Sequence, residues 1–102
     1  MKALYIIPGR APEERNIPDL PTVIADLIGG SPLAVMFPTD WAAILYNPRA
    51  VWQDAELNFQ YKGVRYYGPV LIVGMTRGRH VSLTKEQVDR YQDLIASLGR
   101  RV

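Results

Sequence analysis

Apolar residues recur along this chain in two spacings, and the change from one to the other outlines the fold. Residues 2–7 (KALYII) and 70–74 (VLIVG) are apolar on both alternating faces, as strands buried within a sheet are. Between them, Leu20, Val23, Ile24, Leu27 and Ile28 fall at i, i+3, i+4, i+7 and i+8. That spacing predicts a short helix, with Asp19 as its N-cap and Gly29 at its stop. Pro8-Gly9 ends the first strand, and residues 10–18, rich in proline and charge, read as a loop. Residues 33–37 and 41–46 are apolar runs split by Pro38-Thr39-Asp40, which predicts an antiparallel pair. Asn47-Pro48-Arg49 breaks the second run, and an irregular stretch to Glu56 follows, with Trp52 expected to be tucked beneath it. NFQYKGVRYY (58–67) predicts a hairpin about Lys62-Gly63 that sets Tyr61 opposite Val64, Phe59 opposite Tyr66 and Gln60 opposite Arg65. A short strand is expected over residues 80–83. In the last segment Thr84 and Gln87 form a capping box, and Leu83 and Val88 a hydrophobic staple. Val88, Tyr91, Leu94, Ile95 and Leu98 then repeat at helical spacing until Gly99. The expected fold is α+β in the order β-α-β-β-β-β-β-α, one mostly antiparallel sheet of five to six strands with two helices.

Composition narrows the picture without changing it. A chain of 102 residues, 48% apolar and 22% charged, reads as one globular domain over residues 1–102. With no cysteine there are no disulfides, thiol nucleophiles or cysteine-based zinc sites. No apolar run has the roughly 18 residues a membrane span needs, and the start lacks the pattern of a secretory signal, so a cytoplasmic protein is expected. Twelve basic residues stand against ten acidic ones, an excess of two that equals the contribution of Arg100 and Arg101. So even a balance makes nucleic acid an unlikely default partner. Residues 41–82 hold Arg49, Lys62, Arg65, Arg77 and Arg79 against Asp54 and Glu56, a local excess of three that forms either one basic concavity or a solvated spread.

The opening MKALYIIPGR, Asn47 and Asn58 around the irregular middle, the x-G hairpin, GPVLIVG and VSLTKEQVDRY resemble a group of small proteins catalogued as a domain of unknown function. These occur in bacteria, phages and other mobile elements. The resemblance covers nearly the whole chain. It implies a single-domain protein of phage or mobile-element origin, and it implies no activity. Similar proteins carry acidic or neutral residues in the loop after LIVG, so Arg77 and Arg79 are not a motif of the group.

Few residues carry recognisable chemistry. His80 is the only histidine and could face Ser82 along a strand, with an acid such as Asp54 supplied from elsewhere. No nucleophile elbow, phosphate loop, zinc-binding helix or dinucleotide fingerprint is present. Asp89 and Asp93 share a helix face but read as solvated. No catalytic residue, metal site or cofactor is therefore expected. GMTRGRH (74–80) is the sharpest candidate, because arginine forks match phosphate and glycine lets backbone N–H groups approach a ligand. On this reading Arg77, Arg79, His80 and Arg65 would bind phosphate, with Tyr66, Asn58 and Asn47 contacting a base or sugar. Tyr61 and Tyr67 lie nearby in sequence. The expected function is a non-enzymatic binding protein, homo-oligomeric, that sequesters a phosphorylated or nucleotide-like ligand as a counter-defence factor. The competing readings are a basic hairpin turn with no ligand, a protein that docks a host or phage protein through an aromatic edge carrying Trp41 and Trp52, and weak nucleic-acid binding through the basic tail and loop.

Overall fold

The computed structural model describes residues 1–98, so the expected helix stop at Gly99 and the arginines at 100 and 101 lie outside the described residues. Strand β1 (Lys2–Ile6) lies inside the main sheet, as its two-faced apolar pattern requires. Strand β2 (Glu13–Asn16) pairs antiparallel with it, Leu4 opposite Glu14. The sequence reading assigned β2 to a loop. Its EERN sequence has no apolar face to betray it, because it is an edge strand whose side chains are mostly exposed.

Helix α1 (Pro21–Ile28) ends at Gly29, whose φ of 84° only glycine adopts without strain. Its start corrects the expectation. Leu20, not Asp19, is the N-cap and gives no side-chain hydrogen bond; Pro21 in the first turn sets the helical φ in place of a cap. The buried face is Ile24 and Ile28, while Leu20 is exposed.

Strand β3 (Leu33–Met36) and strand β4 (Ala42–Tyr46) form the predicted antiparallel pair. Trp41 stands outside β4, with φ 49°. A 3₁₀ turn over Ala50–Gln53 fills the irregular stretch and leaves Trp52 83% exposed, not tucked beneath it. Strand β5 (Leu57–Tyr61) and strand β6 (Val64–Tyr67) make the hairpin in the predicted register, with Lys62 and Gly63 both at positive φ. They form a separate two-stranded sheet.

Strand β7 (Val70–Thr76) is the centre of the main sheet, whose order is β2-β1-β7-β4-β3. Strand β8 (Arg79–Val81) pairs with the far half of β7, beyond the end of β1. The two strands are tied end to end, since the Lys2 amide donates to Ser82 Oγ and the Leu83 amide to the Lys2 carbonyl. Helix α2 (Lys85–Ala96) has the predicted capping box.

Strand alternation divides the core into two layers. Ala3, Tyr5, Leu45, Leu71 and Val73 meet Ile24 and Ile28 of α1 on one face. Leu4, Ile6, Ile44 and Ile72 meet Val88, Tyr91 and Ile95 of α2 on the other, together with Phe59 and Tyr66 of the hairpin. The helices thus lie on opposite faces of the sheet.

Candidate functional site

GMTRGRH folds as a tight hairpin turn. Thr76 pairs with Arg79, leaving Arg77 (φ 51°) and Gly78 (φ 75°) as a two-residue loop with both φ values positive. Nothing lies within 4 Å of where a Cβ on Gly78 would stand, so the glycine serves the turn and not a close approach. Arg77 and Arg79 are exposed at the tip. His80 Nδ1 lies 2.8 Å from Asp19 Oδ1, which ties β8 to the entry of α1. An open depression beside the turn, lined by Asp19, Pro21, Gly78, Arg79 and His80, already contains that carboxylate.

The other residues expected to hold a nucleotide lie elsewhere. Tyr66 is 1% exposed and packs edge-on against Tyr46, beside the Val70 end of β7. Asn58 Nδ2 donates to the carbonyls of Ile6 and Gly68, both at 2.8 Å, fastening the hairpin to β1. Asn47 is also buried; its Nδ2 donates to Gly29 O and Gln53 Oε1, and its Oδ1 accepts from the Arg49 amide. Arg65 is exposed on β6, opposite Gln60. The length of β7, about 20 Å, separates Tyr66 and Asn58 from the basic turn. The expected ligand set is not brought together.

Catalytic groupings fare no better. Ser82 Oγ accepts from the Lys2 amide, and Asp54 caps the 3₁₀ turn at φ 56°. Among the described residues no group of three or more His, Asp or Glu could hold a metal ion. No described helix is long and apolar enough to cross a membrane.

A charged cluster that sequence reasoning missed lies where the β3–β4 turn meets α2. Arg90 Nη1 approaches Asp40 Oδ2 at 2.5 Å, the Tyr91 hydroxyl donates to the same oxygen, and Gln87 Nε2 donates to the Asp40 carbonyl at 2.7 Å. Desolvation raises the Asp40 pKa, but the hydrogen bonds from Arg90 and Tyr91 and the guanidinium charge outweigh it and hold the carboxyl below its ordinary value. Burial, and then the carboxylate it donates to, push the Tyr91 hydroxyl well up. Phe37 stacks on Tyr91 with ring centroids 4.4 Å apart, flooring an open groove of about 470 Å³. Some fifty residues separate the partners, so no local motif could reveal the cluster. It fixes the turn that carries Trp41. The Trp41 carbonyl accepts from the Met75 amide at 2.7 Å, while its side chain is 69% exposed. A bulky residue held at positive φ with its ring in solvent is unusual.

That tryptophan stands at one end of a larger apolar surface. All four β3 residues are exposed, and β3 ends the strand order. Leu33, Val35 and Met36 on β3, Trp41 beyond one end, and Val51 and Trp52 in the segment beyond the other are all exposed. Residues 32–39 carry no charge. The β2 edge is the opposite, with Glu13, Glu14 and Arg15 engaged in ion pairs at 3.0 and 3.3 Å, one of them to Lys2. Charge on an edge strand discourages pairing with other chains; of the two ends of the strand order, β2 carries it and β3 does not. Among the described residues no strand pairs with the outer side of β3. The Phe37 amide donates to the Ala42 carbonyl, so by alternation Leu33 and Val35 turn their backbone groups toward β4 and Ala34 and Met36 turn theirs outward.

No curated protein and no solved structure matches the chain. Residues 1–96 match one family, and the chain accordingly belongs to the domain of unknown function DUF3846.

Proposed function

We propose that this chain is a non-enzymatic interaction protein that works by adding the β3 edge of its sheet to a strand of another polypeptide. The observation that carries this reading is the uncharged β3 edge, all four of its residues exposed, with an exposed tryptophan beyond each end. Strand addition draws affinity from main-chain hydrogen bonds and specificity from alternate side chains, and large aromatic residues commonly anchor such contacts. The sequestration of a nucleotide at the basic turn is less well supported, since its expected contacts lie at opposite ends of β7.

Selection of short displayed peptides against the immobilised protein tests the reading. The expected result is enrichment of extended peptides with alternating apolar residues, lost in an Ala34→Pro variant. Proline there removes one outward N–H while leaving the ladder to β4 intact, the position in a sheet that tolerates it. No enrichment on a chain that sediments as a monomer, or the same peptides on both proteins, would rule the reading out.

A further inference from the structure

We infer that the strand received by β3 is β3 of a second copy, paired antiparallel about a two-fold axis through Val35; this rests on the strand-addition reading above. The register follows from the backbone. Two outward N–H groups, those of Ala34 and Met36, are the edge's donors, and Pro32 and Pro38, the next outward positions, have none. A pairing that keeps every donor and every acceptor within β3 sets Ala34 opposite Met36 of the partner copy and Met36 opposite Ala34. It gives four hydrogen bonds, and Pro32 of each copy falls opposite Pro38 of the other. Shifting the pairing by one residue, with the axis between Ala34 and Val35 or between Val35 and Met36, would turn outward groups against inward ones and make no bonds. Centring it on Ala34 or Met36 would set one donor residue against its own copy and the other against a proline, whose carbonyl, beyond the end of β3, would have to accept in place of a strand residue's.

Side chains are compatible with this register. Val35 meets Val35 and Leu33 meets the Phe37 position on one face, and small Ala34 meets large Met36 on the other. The uncharged span of residues 32–39 meets another uncharged span, as a buried pairing requires. Antiparallel pairing also brings the Trp41 end of one copy toward the Leu33 end of the other. That end holds a cleft of about 360 Å³, lined by Ser31, Leu33, Pro48, Arg49 and Gln53 among others. A partner built on the charged β2 pattern would match none of this. The product is a continuous sheet of twelve strands, five across from each copy with β8 in line with β1, and with α1 of both copies on one face and α2 of both on the other.

The chain has no cysteine, so single-cysteine variants report the register directly. Opposite Val35 residues form a non-hydrogen-bonded pair with Cα atoms about 4.5 Å apart, within the range of about 4.4–6.8 Å that disulfides span. Val35→Cys is expected to oxidise to a covalent dimer. Ala34→Cys or Met36→Cys alone is not, because two residues of stagger place the like positions about 8 Å apart. An equal mixture of those two variants is expected to cross-link at the Ala34–Met36 pairing. Sedimentation of the wild-type chain should show a dimer at tens of micromolar, and Ala34→Pro, checked for folding by circular dichroism, should weaken it at least tenfold. A wild-type monomer with no Val35→Cys dimer would overturn the second-copy assignment. Strand addition would then stand if displayed peptides are still enriched and fall if they are not. Cross-linking of Ala34→Cys or Met36→Cys alone, with Val35→Cys unlinked, would overturn the register through Val35.

Discussion

Asn58 shows how much one polar side chain can do in a core of this size. It is 5% exposed and its amide holds two carbonyls, Ile6 on β1 and Gly68 before β7. Replacing it with alanine leaves two buried acceptors without this donor, which should cost about 2–3 kcal/mol in chemical denaturation. A loss below about 0.5 kcal/mol would mean that water replaces the amide. The Asp40 cluster makes a different prediction, one about pH. Its carboxyl titrates below the ordinary 3.8 in the folded chain, so folding favours the ionised form. The contribution is therefore fully present above pH 3.8 and is lost as pH falls below that value through the folded pKa. Asp40→Asn should flatten this part of the acid-unfolding curve while leaving its neutral side unchanged in slope. An unaltered acid limb would show that other carboxylates govern it. Neither role was legible beforehand. Asn58 looked like a base-contacting amide because its type is suited to that, and only the chain path supplies its real acceptors.

At the scale of elements, the sequence was readable where burial is periodic and unreadable where it is not. Strands β1 and β7, both helices and the β5–β6 hairpin follow from apolar spacing, caps and turn residues, because those features act within a few residues. Strand β2 exists through its pairing with β1 and carries no period, so EERN passed as loop. Strand β3 was legible as a strand but not as an edge. LAVM has the composition of a buried strand, yet all four residues are exposed, since nothing in the described chain lies beyond it. The basic turn was read for its charges, and its geometry adds a prediction of its own. Arg77 occupies the first central position of a turn that demands positive φ, where asparagine is favoured. Arg77→Asn should accordingly raise the unfolding free energy, by up to about 1 kcal/mol. Nucleotides and cyclic oligonucleotides should leave the melting temperature unchanged in wild type and in an Arg77→Ala, Arg79→Ala variant alike. A rise of several degrees that the double variant abolishes would restore the phosphate reading.

The whole molecule is a sheet with one charged edge and one bare edge, and that asymmetry decides what assembly it can reach. Pairing through β3 closes on itself around a two-fold axis and stops at two copies, because the edges left outside are β2 of each copy. Those edges hold Glu13, Glu14 and Arg15, and such charges are costly to bury against another strand. If this division holds, removing the β2 charges should open a second pairing site. A Glu13→Thr, Glu14→Val, Arg15→Thr variant keeps residues suited to a strand but deletes the charges. Its dimers should then join through β2 into longer assemblies, seen as light scattering that rises steeply with concentration. Adding Ala34→Pro to the same variant should limit assembly to a pair of copies joined through β2, since β3 can then no longer propagate the sheet. Persistence of the plain dimer after the three substitutions would show that the β2 charges do not limit assembly. Growth undiminished by Ala34→Pro would place the propagating contact away from β3.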